Sequence, residues 1–324
     1  MIGKLKKNIP AIIIGAAFID IILGIDKLPL SGEDVLAQEQ DRQVGGCAFN
    51  IARALARLDL EPVPAILLGN GYWGEIVEQE CKREGLSCFL RDKKHDNGWC
   101  LSLVESDLRR TFISVNGCEQ HLSHELIAQI PELKGALIYA SGYELENEAL
   151  RSYLLSAKNA SKIILDLGPR VCELDLGFFY EVAKNPLILS LNKEELETFL
   201  RLVKAPYLGL KGAQWAAREW QITLIARLDK NGCYGITQDL NWHYVPAFLV
   251  DVADDIGAGD AHAAGLIAGL MSEMSIKDCL HLANALAGVV VSKQGASGAP
   301  NRLELAEFFS NAKQKEGLGQ EALA

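Results

Sequence analysis

The stretch Asp254-Asp255-Ile256-Gly257-Ala258-Gly259-Asp260 sets a carboxylate beside a run of residues too small to fill a core. A Gly-Ala-Gly turn that opens a helix leaves backbone N–H groups unpaired at the positive end of the helix dipole. Such a mouth takes an oxyanion or a phosphate. The backbone of Gly257, Ala258 and Gly259 is therefore the candidate anion hole. Asp260 would repel a resting phosphate there, so the chemistry it suits is taking a proton from an attacking hydroxyl. A bare Gly-x-Gly-Asp is more often a plain strand–turn–helix connection, and it is the rest of the chain that favours the anion hole here.

Two further motifs bear on that choice. Gly45-Gly46-Cys47-Ala48-Phe49-Asn50 precedes a helical stripe of Ala48, Ile51, Ala52, Leu55 and Leu58. Its glycines let a ligand approach the backbone, and Asn50 offers one acceptor and two donors, which suits a polyhydroxylated ligand. A capping or helix-face asparagine is the blander reading. In Ser190-Leu191-Asn192-Lys193-Glu194-Glu195, Asn192 and Glu195 are three apart and share a helix face. An amide and a carboxylate there suit hydrated Mg²⁺, which keeps several waters and phosphate oxygens. A helix N-cap explains the pair equally well.

The elements that must position these residues alternate between β-branched apolar runs and helical patterns. Strands are expected at 11–15, 63–68, 136–140, 162–166, 187–190 and 222–227. That rhythm predicts a mostly parallel sheet covered by helices on both faces. Residues 18–44 and 98–116 break it; the second reads as a hairpin around the polar turn from Glu105 to Leu108. Paired in space, the two would make a small β-sheet lid. The tail from Gln314 is polar and expected to fray.

Composition narrows the classes. A net charge of −10 over 324 residues argues against nucleic acid as a partner. Eight scattered cysteines without a CxxC pair read as reduced, buried and apolar, in a cytoplasmic protein. His121-x-x-His124 lacks companions for a metal site. The lysines at 4, 6 and 7 before Ala11-Ile12-Ile13-Ile14 imitate a secretory signal, but Asp20 interrupts the apolar run. A buried first strand delivering Asp20 at its carboxyl end fits better, and no segment is apolar enough to span a membrane.

In order and spacing, the double glycine with its asparagine, the strand-end Asn-x-x-Glu and the late Gly-Ala-Gly-Asp resemble the ribokinase or PfkB family of carbohydrate kinases. The likeness runs from strand 11–15 to Pro300 and is strongest to bacterial sugar kinases. It implies a ribokinase-like three-layer α/β/α core, one kinase domain over 1–324, with the lid segments inserted. It implies transfer of the γ-phosphoryl group of ATP to a primary hydroxyl of a sugar, and a homodimer formed through the lid. By position, Asp260 resembles the base, and Asp20, Gly45, Gly46 and Asn50 the sugar-binding residues. Asn192, Arg227, Asp229, Gly232, Asn284 and Gly295 fall at the nucleotide. Glu195 and Asn192 would organise Mg²⁺ through water, and Asp254 would hold a monovalent cation, K⁺.

The chain also departs from the family pattern. Asp255 and Ile256 stand for two threonines, Arg227-Leu228-Asp229 for Thr-Leu-Gly, Asp59 for a small residue, and Cys47 for the lysine of ribose-specific members. Arg170 offers positive charge to the phosphoryl group or else is a surface arginine. His262, two residues after the base, reads as packing. A nucleoside kinase is the nearest rival, and a non-catalytic binder of nucleotide or sugar is remoter. A dehydrogenase would need a GxGxxG after the first strand, which is missing.

Overall fold

The computed structural model describes residues 1–107, 109–239, 241–293, 295 and 298–313. Leu108, which closes the expected turn, and the tail from Gln314 lie outside the described residues.

The apolar runs form strands in chain order: β1 Ala11–Gly15, β2 Phe18–Gly24, β3 Gln38–Gly45, β4 Val63–Leu68, β5 Leu90–Arg91, β6 Trp99–Val104 and β7 Arg110–Val115. They continue as β8 Leu137–Ser141, β9 Lys162–Asp166, β10 Leu187–Asn192, β11 Thr223–Arg227, β12 Cys233–Ile236 and β13 Trp242–Val245. The helices are α1 Cys47–Arg57, α2 Tyr72–Arg83, α3 His124–Ile127, α4 Glu148–Ser156, α5 Leu176–Val182 and α6 Lys193–Leu202. After them come α7 Gly209–Glu219, α8 Ala258–Met271, α9 Ile276–Val291 and α10 Arg302–Asn311.

Among the described residues one sheet has nine strands, in the order β13-β12-β11-β10-β9-β8-β1-β4-β5. Pairings from β11 through to β5 are parallel, and only β12 and β13 join antiparallel. Side chains alternate across a strand, so β1 feeds two cores: Ile13 faces one, Ile12 and Ile14 the other. The first core is closed by Phe49 and Leu55 of α1, Leu266 of α8 and Leu282 of α9. Leu150 of α4, Phe179 of α5 and Phe199 of α6 close the second. The result is the expected α/β/α sandwich. Residues 11–15 are an inner strand of its sheet, paired on both edges and buried on both faces, which accounts for their apolar run.

Chain direction reverses at β1. From β1 the chain goes to β4 on one side, and from β8 to β9 on the other. In open α/β sheets a crevice opens outside the strands' carboxyl ends at such a point, and ligands bind there. Over this end stands a second sheet, β3-β2-β6-β7. The parallel pairing of β2 with β6, from Ile19 on Trp99 to Gly24 on Val104, joins the two segments that broke the sequence rhythm. β10 extends to Asn192 because that residue pairs in register with Arg227 of β11, two positions beyond the end expected from its apolar run.

Candidate functional site

Asp20 lies within β2 of the small sheet, five residues past the end of β1, and not at the carboxyl end of the first strand as expected, because the chain forms a second strand straight after β1. Gly45 of β3 lies opposite Phe18, two positions from Asp20, and a Cβ there would overlap the Asp20 Oδ2. Burial, with the Asp260 charge beside it, pushes the Asp20 carboxyl up to about 6. No donor among the described residues reaches that carboxylate. Gly46 caps α1 at φ 101°, where a Cβ would meet the Ala16 carbonyl oxygen at 2.6 Å. Only glycine fits there. Asn50, buried on the first turn of α1, donates from Nδ2 to Asp260 Oδ2 at 2.8 Å and accepts from Arg53 Nη2 at 2.9 Å.

Asp260 sits on the first turn of α8, whose N-cap Gly257 has φ 77°. The first helical bond runs from Ala261 N–H to the Gly257 carbonyl at 2.8 Å. The Ala258 N–H closes a turn on the Asp255 carbonyl at 3.2 Å. Gly259 and Asp260 therefore present the first-turn N–H groups without partners among the described residues. Burial raises the Asp260 carboxyl, while hydrogen bonds from Asn50 and Cys47 and the charges of Arg227 and Arg53 pull it back. The neighbouring Cys47 thiol is raised well above its ordinary value, by burial first and the Asp260 charge second.

On the other side of this helix mouth lies a cavity of about 840 Å³, lined by Asn192, Glu195, Arg227, Asp229, Gly232, Gly259 and Asn284 among others. That volume suits a nucleotide-sized ligand. Arg227 binds Asp166 through both terminal nitrogens, at 2.8 and 2.9 Å, and Glu195 Oε2 at 3.2 Å. It also borders the anion hole, since a Cβ on Gly259 would stand 3.0 Å from its Nη1. Asn192 and Glu195 form a full capping box at the start of α6. Glu195 Oε2 takes the Asn192 N–H at 2.8 Å as well as Arg227, whereas Oε1 takes only the Asn192 Nδ2, at 2.8 Å. Asn284 reaches the cavity wall, but its amide nitrogen donates to the carbonyls of Val245 and Pro246 at 3.0 and 3.2 Å.

Three further positions singled out in the sequence are placed as follows. Asp254 is bound through both oxygens by Arg110 of β7, at 2.9 and 3.0 Å, and also by the N–H groups of Ile256 and Gly295, each at 3.1 Å. Arg170 is exposed, pairs with Glu173 at 2.8 Å and lies 5.7 Å over the Tyr143 ring. His262 is buried under the cavity wall, which lowers its imidazole to about 3 and keeps it neutral. Of the cysteines expected to be buried, Cys172 is exposed and Cys47, Cys88 and Cys100 are half-buried.

The profile of the pfkB family carbohydrate kinase matches residues 10–302. The chain belongs to that family. An uncharacterised sugar kinase of Escherichia coli, YegV, is 37% identical over 94% of this chain and 95% of its own length. A ribokinase structure from Thermotoga maritima superposes with a TM-score of 0.83 at 20% identity, covering 94% of this chain and all of that one. A Burkholderia thailandensis nucleoside kinase, solved with inosine, gives 0.73 at 21% identity over 93% of this chain and 96% of that one.

Three residues at this candidate site were not singled out from the sequence. Glu144 follows β8, accepts the Ala16 N–H at 3.1 Å and the Ser141 hydroxyl at 2.5 Å, and so bridges the two strands at the reversal point. Burial lifts it to about 7. Asp166, at the end of β9, is lifted to about 6 by burial, which the Arg227 charge opposes. Arg53, buried behind Asn50, stacks 5.0 Å from the Phe49 ring. A polar residue at or just past the carboxyl end of an apolar strand was the available signal for Glu144 and Asp166. Nothing local marked Arg53.

Proposed function

We propose that this kinase transfers the γ-phosphoryl group of ATP to a primary hydroxyl of a small sugar, with Asp260 as general base. The observation that carries this reading is the 2.8 Å bond between Asn50 and Asp260. It joins the Asp20 pocket on the lid side to the helix mouth that borders the 840 Å³ cavity.

In this scheme the acceptor sits between Asp20, Asn50 and Glu144, whose acceptors and donors match hydroxyl groups. Its hydroxyl proton passes to Asp260 as the oxygen bonds the γ-phosphorus. The bond from that phosphorus to the bridging oxygen breaks, and ADP leaves. The Gly259 and Asp260 N–H groups and the Arg227 guanidinium face the charge that builds on the phosphoryl oxygens. Asn192, Asp229, Gly232 and Asn284 line the nucleotide side. Mg²⁺ supplies charge neutralisation when bound with the nucleotide. Glu195 Oε1 keeps a lone pair for one of its waters, which suits an indirect role.

The decisive experiment is ADP release measured across pentoses, hexoses and nucleosides with ATP and Mg²⁺. Turnover with one sugar well above the nucleosides supports the reading; turnover with nucleosides alone transfers it to the nucleoside kinases; none with any acceptor refutes it.

A further inference from the structure

We propose that Arg110 is the resident cation of the anion-hole loop, so that this enzyme works without the monovalent cation expected at Asp254. The inference rests on the kinase reading for its activity arm only.

A carboxylate has about four lone-pair positions. Those of Asp254 are all taken: Oδ1 accepts from Arg110 Nη1 at 2.9 Å and Ile256 N–H at 3.1 Å, and Oδ2 from Arg110 Nη2 at 3.0 Å and Gly295 N–H at 3.1 Å. The Asp254 side chain is only 4% exposed, so its charge has to be met from within the protein. A guanidinium does this permanently, because it does not deprotonate in proteins and its fork matches two carboxylate oxygens. K⁺ at this carboxylate would have to displace the fork, so the residues present do not fit that ion.

Asp254 stands three residues before Gly257, and its bond to the Ile256 N–H is within the turn that leads into α8. Neutralising it fixes the backbone from which the Gly259 and Asp260 N–H groups project. Arg110 itself opens β7, opposite Val104 of β6. The same ion pair therefore ties the lid sheet to the anion-hole loop. Arg110 acts as a positioning residue in this account, since it touches the loop and not the phosphate.

The test compares KCl with tetramethylammonium chloride at equal ionic strength, in phosphate transfer and in thermal unfolding. The wild type should differ by less than about twofold in kcat/KM and unfold at the same temperature in both salts. Arg110→Gln should lose about tenfold in kcat/KM, within the usual span of site-to-site coupling, and regain most of it in KCl. Its unfolding temperature should rise in KCl only. Arg110→Lys should stay indifferent to the salt. Activation of the wild type by KCl of more than about fivefold overturns the proposal. So does an Arg110→Gln enzyme that is fully active, or one whose loss KCl does not restore. Should no acceptor be phosphorylated, the kinase reading fails separately and the unfolding comparison decides; should Arg110→Gln not fold, the wild-type comparison decides.

Discussion

Gly45→Ala is the most informative single perturbation of the acceptor pocket. A Cβ at this position would stand 3.2 Å from the Asp20 Cγ and overlap its Oδ2, far inside the 3.0 Å that Cβ atoms keep from their neighbours. Gly45 does not have a positive φ, so alanine is tolerated by the backbone and the carboxylate must give way. The oxygen has to move by roughly 1 Å, and a misplacement of that size can cost about 10²-fold in rate. Loss of about 10²-fold in kcat/KM corresponds to about 2.7 kcal/mol of transition-state stabilisation. The loss should appear for the acceptor, with the KM for ATP unchanged and thermal unfolding nearly so. Gly46→Ala is the control. There the added Cβ meets a backbone carbonyl, at a φ of 101°, and the strain of about 1–3 kcal/mol should lower stability instead. An ADP-release assay and a melting curve on both variants decide. The reasoning is refuted if Gly45→Ala keeps its kcat/KM for the acceptor within about twofold, or if it unfolds as early as Gly46→Ala.

Asp260→Asn should lower kcat by about 10²–10⁴-fold while calorimetry still finds ATP bound; an enzyme with unchanged kcat would remove Asp260 as the base. The acceptor kcat/KM should fall as pH drops through about 7 and then 6, as Glu144 and Asp20 take up protons; a flat profile between pH 8 and 5 contradicts their role. Stability should move oppositely. Both folded-state values lie above the ordinary carboxylate range, so these groups favour the folded state at low pH, and that contribution is lost as pH rises through about 6 to 7. Arg227→Met should cost about 3–5 kcal/mol, because it leaves Asp166 and Glu195 buried without their cation, and part should return on acidification. Phe112 and Ile113, 57% and 51% exposed on β7, support the proposed dimer through the lid. Ile113→Glu should shift the sedimentation profile from dimer to monomer; a wild-type monomer ends that proposal.

The parts of this site legible in the sequence are those whose chemistry is local. Gly257, Gly259 and Asp260 announce a helix mouth within four residues, and Gly45, Gly46 and Asn50 do so within six. The sheet was legible because each buried strand carries its own β-branched run, and three strand spans, 11–15, 63–68 and 162–166, match the expected ones to the residue. What escaped are bonds that only the fold brings together. Arg227 meets Asp166 and Glu195 because β9, β10 and β11 lie side by side, with Asn192 opposite Arg227. Arg110 meets Asp254 across 144 residues of chain. The blander reading of Asn192 and Glu195 as a helix cap is present in full. It leaves the Glu195 Oε1 in reach of the cavity, so cap and proposed metal role are compatible.

These long-range pairs matter because the chain carries a net charge of −10, and its site adds Asp20, Glu144, Asp166, Glu195 and Asp260 at one crevice. A nucleotide brings further negative charge to that place. Three features of the structure reduce the conflict. The N-terminus of α8 contributes about half a positive charge. Arg227 and Arg53 set two guanidinium groups behind the carboxylates rather than on the surface, where salt would screen them. Burial lets Asp20, Asp166 and Glu144 hold protons near pH 6 to 7 until a partner favours their charged forms. Hydroxyl donors of an acceptor would be such a partner for Asp20 and Glu144. Occupation of the acceptor pocket would then restore the charge on the lid side of Asp260. Part of the negative charge around the base would thus come with the acceptor it is to deprotonate, which ties its proton affinity to the presence of that acceptor.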